Sequence, residues 1–258
     1  MKKFIICLLC VVTFVIGYGA MTPASQHTLH LQDASIYSGH LIVVNRDIPL
    51  MQSPSELVPI ASPLLTTERE HLVVPHVHDA LQQLLEDASA EGIEGFTLSS
   101  AYRTSKEQQA LYKRYGADYA LPATYSEHET GLAIDVGTIA GNMDTNPTGE
   151  WFITHAPRYG FILRYPADKV DVTQIAYEPW HYRYVGLPHS VMMTEKNLAL
   201  EEYIRFIQNK SPYKVKQYGE SYIIYYVDAN ADSFNIQGNV IDISGDNTQG
   251  FIVTTRID

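Results

Sequence analysis

The position of the cysteines limits how this chain can be stabilised. Both of them, Cys7 and Cys10, lie within an almost unbroken apolar run from Phe4 to Gly19. The remainder of the chain therefore has no thiol and no disulfide, and it must fold through its hydrophobic core, helped at most by a metal. Thiol catalysis and a cysteine-ligated zinc are excluded for the same reason.

The apolar run follows Lys2 and Lys3, and this arrangement is typical of a secretory signal. The run is shorter than the roughly 20 apolar residues that a comfortable membrane span needs. We expect residues 1–20 to be a signal peptide, and the alternative is an uncleaved anchor that attaches the protein to the membrane. In either case we expect the rest of the chain to lie outside the cytoplasm.

The composition indicates a globular protein that does not bind nucleic acid. The chain has 258 residues, of which 45% are hydrophobic and 18% are charged. Its net charge is −11, from 18 basic and 29 acidic residues. Binding to phosphate groups requires clustered lysine and arginine, which this sequence lacks, so we expect no nucleic-acid partner. The oligomeric state is not predictable from the composition.

Three regions follow the apolar run. Residues 21–74 contain several prolines, and we interpret them as an arm that wraps onto the main domain, with a short strand over 41–45. Residues 75–212 are predicted to form the main domain. Residues 213–258 are predicted to form a small β-rich appendage, because β-rich runs there are separated by Asp, Asn and Gly turns.

Hydrophobic spacing predicts the elements of the last two regions. A helix is predicted from Val77 to near Gly92, and Ser105 is predicted to cap the helix that follows. The helix that Ser105 caps is predicted at 106–115, and further helices are predicted at 149–159 and 194–207. Strands are predicted at 96–100, 161–165, 222–227, 240–244 and 251–255.

Two of the ten histidines lie in short segments that also contain carboxylates. The first segment runs from Ser126 to Asp135 and contains His128, and the second begins at Glu178 and ends at His181. Two neutral imidazoles and one carboxylate are a suitable ligand set for catalytic zinc, whose fourth position is left for water. Glu178 would then serve as the general base. By spacing alone, unrelated surface polar residues are the alternative.

The residues between these side chains suit a metal site. Positions three apart in a flat strand face opposite ways, but a bend at Pro179 would let Glu178 and His181 reach the same ion. Gly131 and Ala133 are small enough for the backbone to pass close to its neighbours. Other acidic residues are expected to be solvated, on loops or exposed helix faces: Asp118, Glu129, Asp144, Glu86, Asp87, Glu201 and Glu202.

Three blocks of the sequence resemble a known family. The segment 126–135 matches Ser-x-His-x-x-Gly-x-Ala-x-Asp, and 178–181 matches Glu-x-x-His with Trp before the last residue. Upstream, the block 100–104 (SAYRT) precedes Gln108, and 159–166 (YGFILRYP) is a further match. Over roughly residues 75–190 the chain is similar to the VanY-type D-alanyl-D-alanine carboxypeptidases. These zinc peptidases are related to the VanX dipeptidases and share the zinc fold of hedgehog signalling domains.

The resemblance implies an α+β fold, in which helices pack on an antiparallel sheet and a zinc cleft opens on its free face. It also implies one Zn2+ per chain, held by His128, Asp135 and His181. Glu178 would take a proton from water and pass it to the leaving amine. Arg103 would stabilise the oxyanion or grip the substrate carboxylate, for which its planar fork is suited.

Four more residues are implied on the substrate side. Ser126 and Gln108 would hydrogen-bond the substrate. Tyr102 and Trp180 would line the cleft, and a core role is the alternative for each.

The implied activity is hydrolysis of the terminal D-Ala-D-Ala amide of a peptidoglycan stem peptide in the bacterial cell wall. Relatives with similar motifs act as L,D-carboxypeptidases or as endopeptidases between L-Ala and D-Glu, and the sequence does not separate these specificities. A non-catalytic zinc-containing wall-binding module is a third alternative. The presence of both Glu178 and Arg103 favours an enzyme.

Overall fold

The computed structural model of the protein describes residues 26–32, 34–117 and 119–257. Its strands are β1 Gln26–His30, β2 Val58–Pro59, β3 Leu65–Thr67, β4 Leu72–Val73, β5 Phe96–Ser100, β6 Ala133–Thr138, β7 Phe161–Leu163, β8 His181–Tyr184, β9 Tyr213–Gln217, β10 Glu220–Asp228, β11 Ser233–Gln237, β12 Asn239–Gly245 and β13 Gly250–Ile257. Its helices are α1 Pro75–Ala90, α2 Ser105–Tyr115, α3 Pro147–His155, α4 Val170–Thr173, α5 His189–Glu195 and α6 Leu200–Lys210. The predicted α+β class is confirmed.

A five-stranded sheet forms the centre of the main domain. Its strand order is β3-β5-β6-β8-β7, and all neighbours are antiparallel except β3 and β5, which are parallel. Helix α1 buries one face through five apolar residues at helical spacing, and these share a core with apolar residues of β5 and β6. The predicted sheet with packed helices is therefore present, with one parallel pair at its edge.

A second, four-stranded antiparallel sheet has the order β12-β13-β10-β9. The three strands predicted in the last forty residues are β10, β12 and β13, each longer than predicted. Strands β9 and β11 were not predicted, and β11 pairs with β1 near the start of the described chain. The β-rich character expected of residues 213–258 is confirmed.

One hydrophobic cluster joins residues from all three regions of the chain. It contains Leu41 and Val43 of the arm, Met192 and Met193 of α5, and Ile252 of β13, together with apolar residues of α6. The arm, the main domain and the last sheet thus bury apolar surface against one another.

The strand predicted over residues 41–45 is wrong. Leu41 and Val43 are buried, as a strand pattern would suggest, but their backbone groups pair outside any ladder. The Leu41 N–H donates to Ser244 Oγ at 2.8 Å, and the Val43 carbonyl accepts from Asn247 Nδ2 at 2.9 Å. Ser244 of β12 and Asn247 of the turn that follows it therefore satisfy these two peptide groups through their side chains, without a neighbouring strand.

Two predicted helix boundaries also change. Thr104, not Ser105, is the N-cap of α2, because its hydroxyl accepts the Glu107 N–H while the Glu107 carboxylate accepts the Thr104 N–H. The helix predicted over 194–207 is split into α5 and α6. Asn197 between them has a left-handed φ of 49°, and the N-cap of α6 is extended. The helix predicted over 149–159 is α3 followed by a 3-10 turn.

None of the helices in the described residues combines the length and the apolarity that a bilayer span requires. Residues 1–20, for which we expect a signal peptide or an anchor, lie outside the described residues.

Candidate metal centre

His128 lies in a buried 3-10 turn, Glu127–Thr130, that precedes β6. Its Nδ1 donates to the Ala101 carbonyl at 2.8 Å, so Nε2 is left as the unprotonated nitrogen. The turn ends at Gly131, whose φ of 71° is left-handed and whose α-carbon lies against Leu57 and Val74. A side chain here would meet both neighbours at about 3 Å. This confirms the expectation that a small residue lets the backbone pass closely.

Asp135 and His181 are brought together by strand register. Asp135 of β6 pairs directly with His181, the first residue of β8. A turn before β8, closed by the hydrogen bond from the His181 N–H to the Glu178 carbonyl, turns the chain at Pro179. The bend expected there is present, and it places the Glu178 carboxylate 3.7 Å from His181 Nδ1.

The three side chains converge on one point. Ligand atoms of His128, Asp135 and His181 all lie within 4.8 Å of one another. Nε2 of His128 is 3.3 Å from Asp135 Oδ2, and Nδ1 of His181 is 3.1 Å from Asp135 Oδ1. A tetrahedral zinc ion with bonds of about 2.0–2.2 Å separates its ligand atoms by about 3.3–3.6 Å. The spacing therefore fits zinc.

The Asp135 carboxylate supports this interpretation. Among the described residues its Oδ1 is buried and has no hydrogen-bond partner, although the His181 ring nitrogen is close. The two atoms approach without hydrogen-bond geometry, as atoms do when both are directed at a third atom. In contrast, the far nitrogen of each imidazole does make a hydrogen bond. The donor set and its orientation fit a bound cation.

The protonation of the cluster follows from burial and charge. Burial lowers the pKa of His128, so its imidazole is neutral at pH 7. Burial alone would raise the pKa of Asp135, but the two histidines beside it hold that pKa below its ordinary value. Burial alone would also lower the pKa of His181, yet Asp135 and Glu127 raise it to about 9. A cation would replace the proton that these carboxylates favour.

Glu178 and Arg103 both line the same cleft as the cluster. The pKa of Glu178 is raised, chiefly by burial, which makes this carboxylate a stronger proton acceptor than an exposed glutamate. Arg103 follows β5, and its Nε is buried with no hydrogen-bond partner among the described residues. Burial lowers its pKa, though a guanidinium stays charged at pH 7. A guanidinium in a cleft with a buried N–H left to donate is suited to binding an anion.

A cavity of about 520 Å³ lies over the cluster, within the range of about 300–1,000 Å³ for small-ligand sites. Predicted substrate-side residues Ser126, Gln108 and Trp180 all line it, whereas Tyr102 does not. Gln108 uses Nε2 to hold the Leu121 carbonyl at 2.6 Å, and its buried Oε1 has no partner among the described residues. Trp180 is 45% exposed, so it belongs to the rim of the cleft and not to the core.

The expectation of solvated carboxylates is wrong at three positions. Glu129 is 2% exposed, and its Oε2 accepts the Thr124 N–H at 2.7 Å. Glu201 is ion-paired with Arg164, whose side chain is fully buried. Glu202 is half-buried and ion-paired with Lys169 at 3.0 Å. Asp144, Glu86 and Asp87 are exposed as expected, and Asp118 lies outside the described residues.

Two residues near the centre were not singled out from the sequence. Glu127, which lies inside the first motif, is buried and contacts His181. Arg46 of the arm lines the cleft, with its Nε donating to the Gln174 carbonyl at 3.0 Å and its Nη2 to the Ala117 carbonyl at 3.5 Å. The position of Glu127 between two motif residues, Ser126 and His128, could have identified it from the sequence. No local pattern distinguishes Arg46.

An α+β domain that presents two histidines and an aspartate in a cleft defines a candidate metal-dependent hydrolase. The D-alanyl-D-alanine carboxypeptidase family VanY matches residues 70–187 of the chain. A D-alanyl-D-alanine carboxypeptidase of Enterococcus faecium is 38% identical over 234 residues, covering 87% of this chain and 77% of that protein. The bifunctional D-Ala-D-Ala dipeptidase and carboxypeptidase VanXYC of Enterococcus gallinarum is 39% identical over 183 residues, covering 63% and 92%. The chain belongs to the VanY family of D-alanyl-D-alanine carboxypeptidases.

Solved structures agree with this assignment. The vancomycin-resistance D,D-dipeptidase VanXYg, in complex with a D-Ala-D-Ala phosphinate analog, superposes with a TM-score of 0.78 at 36% identity, covering 90% of this chain and 100% of that one. The D,D-pentapeptidase VanY of the VanB-type cassette, a mutant in complex with Zn(II), gives 0.53 at 31%, covering 64% and 98%. The LD-carboxypeptidase LdcB gives 0.58 at 30%, covering 63% and 84%.

Proposed function

We propose that this protein is a zinc-dependent D,D-carboxypeptidase that removes the terminal D-alanine from peptidoglycan stem peptides. Family membership supplies the class of enzyme. The observation that carries the finer proposal is the convergence of His128, Asp135 and His181, with the Glu178 carboxylate beside them. The related VanY protein solved with Zn(II) supports zinc as the metal.

In this proposal the three converging side chains hold one zinc ion. A bound zinc supplies Lewis-acid polarisation of the scissile carbonyl and makes water a competent nucleophile near neutral pH. The Glu178 carboxylate accepts a proton from the attacking water and delivers it to the leaving amine of D-alanine. Its distance of 3.7 Å from His181 Nδ1 supports this role, since one water molecule can bridge polar groups at such a separation.

Arg103 binds negative charge on the substrate, either the developing oxyanion or the terminal carboxylate. Its guanidinium, whose buried Nε has no partner among the described residues, is the cation that this role needs. Ser126 and the unpaired Oε1 of Gln108 provide a hydroxyl and an acceptor for the peptide groups of the substrate. Trp180 provides an apolar rim, whereas Tyr102 does not line the cleft and is given no role in this proposal.

We place the enzyme outside the cytoplasm, where the peptidoglycan stems lie, on the strength of the sequence of residues 1–20. Cleavage of that segment would release the enzyme, and its retention would attach it to the membrane.

A second candidate activity is hydrolysis of free D-Ala-D-Ala. It is favoured by the similarity to VanXYg, which extends over the whole of that dipeptidase. L,D-carboxypeptidase activity has weaker support, since LdcB aligns with 63% of this chain.

One experiment separates these specificities. The zinc-loaded protein is incubated with a stem pentapeptide ending in D-Ala-D-Ala, with the free dipeptide, and with a tetrapeptide ending in L-Lys-D-Ala, and products are identified by mass. We expect loss of one alanine from the pentapeptide. Cleavage of the tetrapeptide alone, or of no substrate at all, would contradict the proposal.

A further inference from the structure

Glu127 is a buried carboxylate directly behind the candidate metal centre. Its side chain is fully buried, and its Oε1 accepts from Arg164 Nε at 2.8 Å and from Arg183 Nη1 at 2.7 Å. Its second oxygen, Oε2, lies 3.4 Å from Nε2 of His181. With two guanidinium groups on one oxygen, this carboxylate is ionised and can only accept. The Nε2 of His181 must therefore be the donor.

The two arginines are themselves held in place. Arg164 donates through both Nη atoms to the Glu201 carboxylate of α6, at 3.1 and 2.6 Å. Arg183 donates through Nη2 to the carbonyls of His40 and Ile42, at 3.0 and 2.8 Å. Glu127 is thus fixed from two sides by elements outside its own turn. One of those elements is the arm that precedes the family's matched region.

The two histidines of the cluster present different nitrogens. His128 directs Nε2 towards Asp135 because its Nδ1–H is donated to a carbonyl, whereas His181 directs Nδ1 towards Asp135. An imidazole offers a lone pair at only one nitrogen when the other carries the proton. Something must therefore hold the proton of His181 at Nε2, and Glu127 is the acceptor at that atom.

We propose that Glu127 is the positioning residue that fixes His181 with Nδ1 available to the metal, and that Arg164, Arg183 and the arm segment 40–42 hold Glu127 for this purpose. The proposal rests on the zinc site of the proposed function. Carboxylate partners of this kind contribute about 10- to 100-fold to metal affinity in zinc proteins.

The test uses the Glu127→Asp variant of the full chain. Aspartate keeps the charge that the two arginines need but is one methylene shorter, so it withdraws from His181. We expect zinc affinity, measured by competition with a chelator, to fall about 10- to 100-fold. Glu129→Asp is the matched control, because it shortens a buried carboxylate of the same turn that does not contact His181. We expect its zinc affinity to match that of the wild type, because no hydrogen bond to a proposed ligand is lost.

A second measurement uses the wild-type protein and therefore does not depend on whether a variant folds. Ring 15N NMR of the zinc-loaded wild type identifies which nitrogen of His181 carries the proton. We expect a protonated Nε2 and a metal-bound Nδ1. The reverse assignment would overturn the proposal, as would unchanged zinc affinity in a folded Glu127→Asp protein. A wild type that takes up no zinc would instead refute the proposed function, so the two failures are distinguishable.

Discussion

Asp135 and His181 lie directly opposite each other on neighbouring antiparallel strands, with Oδ1 and Nδ1 3.1 Å apart. Their meeting depends on strand register, because a shift of one residue would turn one of the two side chains to the other face of the sheet. The third member, His128, reaches them from a separate turn. The central sheet is thus what assembles the candidate centre from segments far apart in the chain.

Metal removal is the first test of this arrangement. We expect dialysis against a strong chelator to abolish peptidase activity and to lower the melting temperature, and added Zn2+ to restore both. A ligand that binds only the folded state at 1,000 times its Kd stabilises that state by about 4 kcal/mol. Activity that survives in protein shown by elemental analysis to be free of metal would contradict the account.

Glu178→Gln is expected to lower kcat by about 10²- to 10⁴-fold, because the amide cannot accept a proton. Zinc content should be unchanged, since the carboxylate is not among the three converging ligands. Steady-state kinetics and elemental analysis of the same sample check both statements. Asp144→Asn is the matched control: this exposed carboxylate bonds the Tyr177 hydroxyl and does not line the cleft. Full activity in Glu178→Gln would remove it as the base.

Arg46→Ala is expected to raise KM for the pentapeptide with little change in kcat. The side chain of Arg46 connects the two segments that flank the cleft, through the carbonyls of Gln174 and Ala117, and it touches none of the proposed metal ligands. Arg205→Ala serves as the control, because Arg205 is an exposed arginine that shares a neighbouring cavity with Arg46 but does not line the cleft over the cluster. Equal effects of the two substitutions on KM would indicate a general loss of positive charge and not a role of Arg46 in the cleft.

Asp242 of β12 gives a prediction about stability and pH. Burial raises its pKa from 3.8 to about 6, and His76 only partly offsets this. The folded state therefore holds this proton more tightly than the unfolded state. Because of this carboxyl group, the free energy of unfolding falls as the pH rises from about 4 to about 6. Above that range the ionised carboxylate lowers the stability by about 3 kcal/mol at most.

Asp242→Asn should remove this penalty. We expect the variant to be more stable than the wild type at pH 8, and the difference to vanish near pH 4. Urea denaturation of both proteins across this range measures the difference directly. A variant that is less stable than the wild type at pH 8 would show that the ionised carboxylate makes a favourable contact.

Hydrophobic spacing predicted those helices and strands whose apolar residues are close together in the sequence. The apolar spacing of α1 and the run Phe96–Ser100 of β5 are both present at nearly the predicted bounds. The motif at 126–135 identified His128 and Asp135, which the structure brings together with His181.

The remainder depended on contacts between distant segments. Residues 41–45 were predicted as a strand because buried, β-branched residues occur in strands and also in buried irregular segments. The difference lies in the partners of the backbone groups, which here are the side chains of Ser244 and Asn247. Glu201 looked solvated because its partner Arg164 is far away in sequence. Arg46 lies in the cleft because of the path that the arm follows, and no short motif predicts that path.

The most direct test of the central claim is anomalous diffraction at the zinc edge from crystals of the zinc-loaded protein. The account predicts one strong peak, about 2.0–2.2 Å from His128 Nε2, the Asp135 carboxylate and His181 Nδ1. Glu178 should remain outside bonding distance. A peak elsewhere, or fully loaded crystals in which any of the three side chains points away from the ion, would contradict it.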